Sequence, residues 1–248
     1  MSRTSLPSRT MRDAREPVSE ATAGRLSVYL RCLDALELEG KTNISSQQLA
    51  RRFHLNSAQI RKDLATFGEF GVRGVGHGID ALKRHLLSIL GLDRTRRVAI
   101  VGAGRLGQAL ADYGGFGSRG FRIVALFDND RARIGSRSRS GVPIHDVQRL
   151  GEFVARERVE IAVITVPEDS AGTVARLCWQ AGLKAVLNFA PVRLDAPADA
   201  YLKNVDLRIN LETLSFYIAR RAENSPEDSP LARSPHRGKG SKGEMHAP

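Results

Sequence analysis

Apolar positions change their period partway along this chain. From Ala21 to about Gly91 they recur at helical spacing. Leu26, Tyr29, Leu30, Leu33, Leu36 and Leu38 mark a first helix that stops at Gly40. Ser45-Ser46-Gln47-Gln48 offers an N-cap to a short second helix ending at Phe53. After the turn His54-Leu55-Asn56, either Asn56 or Ser57 can cap a third helix over Ala58–Phe67. Ile60, Leu64 and Phe67 share one face of it, while Ser57, Gln59, Arg61 and Lys62 lie largely off that stripe. Such a division suits a recognition helix, one face anchored and the other carrying donors for base edges and phosphates. The glycine-rich alternation Phe70–Gly76 suits a small β-hairpin, with Arg73 and Gly74 at a wing that can enter a minor groove. Ile79–Leu90 is an amphipathic helix ending at Gly91. The spacing predicts a winged helix-turn-helix domain over 21–91.

Beyond residue 92 the pattern becomes one of short, continuous apolar runs alternating with helical stretches. Val98–Val101, Ile123–Phe127, Ile161–Val166 and Lys184–Phe189 read as buried parallel strands. Helices are expected around Val147–Arg156 and over Ala171–Ala181, with a turn and short extended piece at Gly141–Ile144. The fold class is therefore α/β, the winged helix preceding a Rossmann-like doubly wound parallel sheet over 92–205. Directly after the first strand stand Gly102, Gly104 and Gly107, a G-x-G-x-x-G. Gly102 allows the tight turn, Gly104 lets backbone approach a pyrophosphate, and Gly107 lets helix pack on strand. The N–H groups of the new helix's first turn face the anion. Asp128 closes the next strand where a carboxylate would take the adenosine ribose hydroxyls. Arg131 and Arg133 just beyond it raise the question of a 2′-phosphate, but the acid itself disfavours NADP. The strand-ending loops Thr165-Val166-Pro167 and Asn188-Phe189-Ala190-Pro191 are expected as cofactor walls, since ligands bind at the carboxyl edge.

The last helical pattern, Asp206–Ala219, is long and apolar for a terminal element, which points to docking on a second subunit, and 206–221 is read as a dimerisation helix. Residues 1–20 and 222–248 are polar and rich in Pro, Ser, Gly and charge, and read as a mobile arm and a disordered tail.

Composition changes this picture only slightly. In 248 residues with 42% apolar content there is room for two cores. No apolar run reaches the ~20 residues of a membrane span, and the N-terminus lacks the apolar centre of a signal peptide. Cys32 and Cys178 lie far apart without metal-ligand spacing, so no metal site is expected and the setting is a reducing cytoplasm. The net charge of +11 favours a polyanionic partner, but the excess is spread over both domains, so DNA binding rests on the helix-turn-helix.

The segments SSQQLARRFHLNSAQIRKDLATFGEFGVRGVG, VAIVGAGRLGQALADYGGF, LNFAPVRL and VDLRINLETLSF resemble the Rex family of redox-sensing transcriptional repressors, over about Ala21 to Ala219. The resemblance implies a homodimer that holds double-stranded operator DNA when NADH is scarce and is released by NADH, with NAD⁺ and NADH competing as sensed ligands. It implies that the loop Gly102, Ala103, Gly104, Arg105, Leu106, Gly107 holds the pyrophosphate and that Asp128 holds the ribose. It places Arg61 and Lys62 at the major groove or its phosphates, with Ser46 and Gln59 nearby and Arg73 in the minor groove. Tyr113 would sit near the nicotinamide and form a switch with Arg31 of the first helix and Asp206 before a swapped C-terminal helix. Two positions depart from the family pattern: Leu207 stands where an aromatic often follows the switch aspartate, and His77 where a wing-terminal tyrosine is common.

Two other readings compete. One is an NAD-dependent oxidoreductase with an accessory helical domain; only His145, of six histidines, is near a polar strand-end loop, so a general base is hard to find. The other is a CoA-binding module sharing the glycine loop. The winged helix argues against both.

Overall fold

The computed structural model of the chain describes residues 18–68 and 76–223. The expected wing residues Arg73 and Gly74 lie outside the described residues, as do most of the expected arm and tail.

Helix α1 spans Glu20–Leu38. It begins just inside the stretch read as an arm, because the Ser19 hydroxyl accepts the Thr22 N–H at 3.2 Å and caps it. Leu26, Tyr29, Leu30, Leu33 and Leu36 form its buried stripe. Leu38, two residues past Leu36 and so on the opposite side, is 90% exposed rather than part of that stripe. Helix α2 is Ser46–Phe53, opened by a capping box in which Ser45 and Gln48 satisfy each other's backbone N–H groups. Helix α3 is Ser57–Ala65, capped by Asn56 Oδ1, which accepts from Ala58 at 2.9 Å and Gln59 at 3.0 Å. It stops short of Phe67, which still packs against the domain core from the following turn. Strands β1 (Asn43–Ile44) and β2 (His77–Gly78) pair antiparallel, and α4 (Ile79–Ile89) packs back on α1. Leu26, Leu33, Leu49, Ile60, Ile79 and Leu86 make a sealed core for this domain.

The second domain is a six-stranded, wholly parallel sheet. Its strands are β3 (Arg96–Val101), β4 (Phe121–Asp128), β5 (Ile144–Asp146), β6 (Ile161–Ile164), β7 (Ala185–Asn188) and β8 (Tyr201–Asn204). The order β5-β4-β3-β6-β7-β8 is that of the doubly wound dinucleotide fold: the chain builds outward from β3 on one side, then returns to build outward on the other. Helices α5 (Arg105–Ala111), α6 (Leu150–Glu157) and α7 (Glu168–Gln180) cross between strands, and apolar clusters cover both faces of the sheet.

Four sequence expectations need correction here. The helix expected from Val147 divides into a 3-10 turn over Val147–Arg149 and α6 proper. Helix α7 starts three residues before Ala171, because Pro167 ends the extended segment and Glu168 and Asp169 favour a helix's first turn. Strand β8 was not expected at all; it is an edge strand with only Leu202 half-buried, so it carries no apolar run. The terminal helix α8 runs Leu207–Glu223, so residues 222–223 belong to it and not to the tail.

Candidate functional site

A cleft of about 780 Å³ opens at the carboxyl ends of β3, β4 and β6, the switch point from which the strand order runs both ways. Two glycines there are dictated by packing. Gly102 takes φ +108°, and a Cβ on it would come within 2.7 Å of the Thr165 carbonyl oxygen. A Cβ on Gly107 would be driven into the Gly102 carbonyl oxygen. Thr165 Oγ1 donates to that same carbonyl at 2.8 Å, which ties the end of β6 to the loop. Gly104 differs. Nothing lies within 4 Å of where its Cβ would stand, so its backbone faces open space in the cleft. A pyrophosphate fits that space, and Gly104, the N-cap of α5, makes no side-chain cap that would compete for the first-turn N–H groups.

Asp128 stands at the cleft wall and is 8% exposed. Its Oδ2 accepts the Ala103 N–H at 2.7 Å and Arg133 Nη1 at 3.2 Å, and its Oδ1 accepts the Asp130 N–H at 2.9 Å. Burial alone would push this carboxyl up, but the two backbone N–H groups and the guanidinium together hold it below the usual range. It is thus a fixed negative charge that also staples the glycine loop to β4. Thr165, Val166 and Pro167 also line this cleft, joined by Asp169, Ser170 and Thr173 of α7, which the sequence reading did not single out. Their signal was position, the first turns of a helix that follows a strand-ending proline.

The second expected wall is not part of the cleft. Asn188 is fully buried and spent on structure: its Nδ2 donates to the Ala190 and Val192 carbonyls and Asn204 Oδ1, and its Oδ1 accepts the Ala190 N–H. Phe189 turns to an apolar cavity on the other face of the sheet, Ala190 is buried and Pro191 is exposed. The physical reason is the next strand, β8, whose Asn204 captures the Asn188 amide. Arg105 and Leu106 are exposed at the start of α5, and Ala103 is buried.

Tyr113 follows α5 and is 60% exposed, edge-on to Phe116 with ring centroids 5.1 Å apart. Arg31 is exposed on α1. Asp206 is half-buried, and its Oδ1 accepts the Arg208 N–H at 2.8 Å at the start of α8. Within the single chain no hydrogen bond or ion pair among the described residues joins these three. Leu207 is exposed.

On the DNA-binding domain, Arg61 and Lys62 are exposed side by side on α3, and Ser57 is half-buried at its first turn. Gln59 and Ser46 differ from expectation. The Gln59 amide donates to Asp63 Oδ1 at 2.7 Å, turned inward. Ser46 is 8% exposed, with Oγ 3.3 Å from His77 Nε2. Burial pushes the His77 imidazole pKa down, which favours the neutral ring at this position. Asp63 is the missed residue. It is 3% exposed on α3, and its carboxylate accepts from Arg25 Nε at 2.6 Å, Arg25 Nη2 at 2.8 Å and the Tyr29 hydroxyl at 2.8 Å. A charged residue between Ile60 and Leu64 on the apolar stripe was the available signal, since a buried charge requires partners.

Residues 17–65 match the family described as "Putative DNA-binding protein N-terminus", and residues 93–192 the one described as "CoA binding domain". The redox-sensing transcriptional repressor Rex of Carboxydothermus hydrogenoformans is 47% identical over 203 residues, 82% of this chain and 97% of that protein. The Rex of Syntrophomonas wolfei is 48% identical over 202 residues, 82% and 96% of the two chains. Among solved structures, RSP in complex with β-NAD⁺ and operator DNA superposes with a TM-score of 0.79 at 37% identity, covering 84% of this chain and 95% of that one. RSP in complex with β-NADH gives 0.74 at 36% identity, covering 83% and 96%. With identity at this level spread across both domains, the chain belongs to the Rex family of redox-sensing transcriptional repressors.

Proposed function

We propose that this protein holds operator DNA through its winged helix when NADH is scarce and lets go when NADH rises. The observation that carries this is the pairing, in one chain, of two surfaces. One is an open Gly104 backbone with a buried Asp128 carboxylate at the wall of the same cleft; the other is a capped α3 that exposes Arg61 and Lys62. On this reading the Gly102–Gly107 loop takes the pyrophosphate and Asp128 takes the ribose hydroxyls of NAD⁺ or NADH. A fixed negative charge at that place repels a 2′-phosphate, so the preference is for the non-phosphorylated cofactors, although Arg133 offsets part of the charge. Arg61 and Lys62 reach the major groove or its phosphates, and Ser57 approaches the backbone. Arg73 and Gly74 remain the proposed minor-groove contact of the wing.

The oxidised nicotinamide ring carries a positive charge that the reduced ring lacks. A charge-sensitive set of side chains at that ring can therefore tell the two apart, and Tyr113, Arg31 and Asp206 are the proposed members. Release of DNA then requires that the two ligands differ in their contacts with two arrangements of the molecule. The protein measures its ligand and performs no turnover, and it works in the cytoplasm.

A homodimer supplies the missing geometry. On α8, Leu207, Leu211, Leu214 and Ile218 lie on one face and Ile209 and Phe216 on the opposite one, and all six are more than half exposed. A helix apolar on both faces belongs between two surfaces. Exchange of α8 between two copies would provide them and would bring Asp206 of one copy towards the Tyr113 region of the other.

The test is displacement from DNA. A promoter fragment bound by the protein should be released by micromolar NADH, and by NAD⁺ only at far higher concentration. If NADH binds, by fluorescence, while the complex stays intact, the sensor reading fails. Steady oxidation of NADH by an added carbonyl substrate would favour the oxidoreductase instead.

A further inference from the structure

Ion pairs tie α1 to the nucleotide-binding domain at two points. Glu20, in its first turn, pairs with Lys203 of β8, and Asp34, near its end, pairs with Arg119. Fourteen residues separate the two acids, nearly four helical turns, so both lie on one side of α1. Arg31, eleven residues after Glu20, falls on that same side. This face of α1 therefore looks across the domain boundary, whereas Leu26, Tyr29, Leu30 and Leu33 face the core of the DNA-binding domain.

Asp34 sits at a junction. Besides Arg119 it holds Lys83 of α4 at 2.9 Å, and Lys83 in turn pairs with Glu37. Burial alone would raise the Asp34 carboxyl, but these two cations keep it ionised and below the usual range. Arg119 ends a compact turn that begins at Tyr113. The Phe116 N–H donates to the Tyr113 carbonyl at 3.4 Å, the Arg119 N–H to the Phe116 carbonyl at 3.0 Å, and the Phe121 N–H to the same Phe116 carbonyl at 3.1 Å. The Tyr113 ring leans edge-on against Phe116. A short hydrogen-bonded turn thus connects Tyr113 to Arg119, and the ion pair connects Arg119 to Asp34 of the DNA-binding domain.

We propose that Arg119 and Asp34 are positioning residues of the redox response: their ion pair is made in the operator-binding arrangement of the two domains and is broken in the released one. The inference rests on the proposed function above. The pair crosses between the two domains in a chain whose TM-score is 0.79 against RSP with operator DNA, 0.76 against RSP alone and 0.74 against RSP with NADH. Both side chains are partly exposed, 44% for Arg119 and 26% for Asp34, so the pair is a modest bias of about two- to fivefold and not a lock. A bias of that size tunes the concentration at which DNA is released without preventing release.

The experiment compares the full-length protein with Arg119→Gln and Arg119→Lys. It measures affinity for the promoter fragment without NADH, and affinity for NADH without DNA. Arg119→Gln should weaken DNA binding about two- to fivefold and tighten NADH binding by a similar factor, because it removes a contact made only in the operator-binding arrangement. Arg119→Lys should restore both values. A lesion that merely loosened the fold would weaken both affinities, and that result, or no change in either, overturns the proposal. Failure of NADH to release DNA from the wild type would instead overturn the functional reading on which it rests.

Discussion

The Asp63 carboxylate on α3 lies 2.6 Å from Nε of Arg25 on α1, 38 residues earlier in the chain. Together with the Tyr29 hydroxyl and the Gln59 amide, this contact fixes the rotation of α3 about its own axis. Rotation matters because Arg61 and Lys62 face outward only while Asp63 points inward. Replacing Asp63 with Asn should cost about 1–3 kcal/mol of the DNA-binding domain's stability, since the charge is lost and an amide N–H donor takes the place of one oxygen that accepts from Arg25, Tyr29 or Gln59. Operator affinity should fall at least tenfold while NADH affinity stays within twofold. A thermal melt followed by circular dichroism, with NADH fluorescence and a gel-shift titration, separates these effects.

The same cluster gives the protein a pH signature. Arg25 beside Asp63 holds that carboxyl below the ordinary range, outweighing the burial that opposes it. A carboxyl whose native pKa is depressed contributes stability that is complete above about pH 4 and is lost as pH falls through the native value. Tyr29 moves the other way. Burial, and then the hydrogen bond to Asp63, push its hydroxyl up to about 12. That contribution is present below the ordinary tyrosine value near 10 and disappears as pH rises towards 12. Melting temperature should therefore decline at both extremes, and Asp63→Asn should flatten the acid limb. An acid limb unchanged in the variant would assign acid sensitivity to other carboxylates.

The glycine loop allows a sharper division. Gly107→Ala must push a methyl group into the Gly102 carbonyl, so it should lower the melting temperature of the nucleotide-binding domain and abolish NADH binding together. Gly104→Ala meets nothing within 4 Å, so the fold should be retained. Its methyl group nevertheless occupies the approach proposed for the pyrophosphate, and NADH affinity should drop by at least an order of magnitude. Equal loss of stability in both variants would mean that Gly104 too is a packing glycine.

Much of this was legible in the sequence because it rests on local signals. The change from helical to strand periodicity near residue 92, the glycines after β3 and the acid ending β4 are each written within a few residues, and the structure places them at one switch point. What the sequence hid depends on distant partners. Asp63 stands on the apolar stripe of α3, which marks it as buried, but its partners Arg25 and Tyr29 come from α1 and no local pattern names them. Asn188 ends its strand as a cofactor wall should, but Asn204 of an edge strand without apolar pattern takes its amide. Ser46 and Gln59 carry the right chemistry for DNA, yet His77 and Asp63 turn them inward. A spacing says which face a residue occupies on its own element; it does not say what another element has placed opposite.

Helix α8 poses the same problem at the level of subunits. Among the described residues of a single chain its two apolar faces meet no counterpart, and Leu214 and Phe216 remain 58% and 54% exposed. Full burial of such side chains contributes ~1.5–3 kcal/mol each, enough for a few of them to support a stable dimer after the cost of association. Leu214→Glu and Phe216→Glu sit on opposite faces of the helix. If α8 is held between two surfaces, either change alone should weaken the dimer by at least 100-fold, because each places an unpaired charge in an apolar contact. Sedimentation equilibrium would show monomers at micromolar concentration in both variants. Dissociation by only one of them would mean that α8 packs through a single face, and the exchanged-helix arrangement would then give way to a simple side-by-side contact.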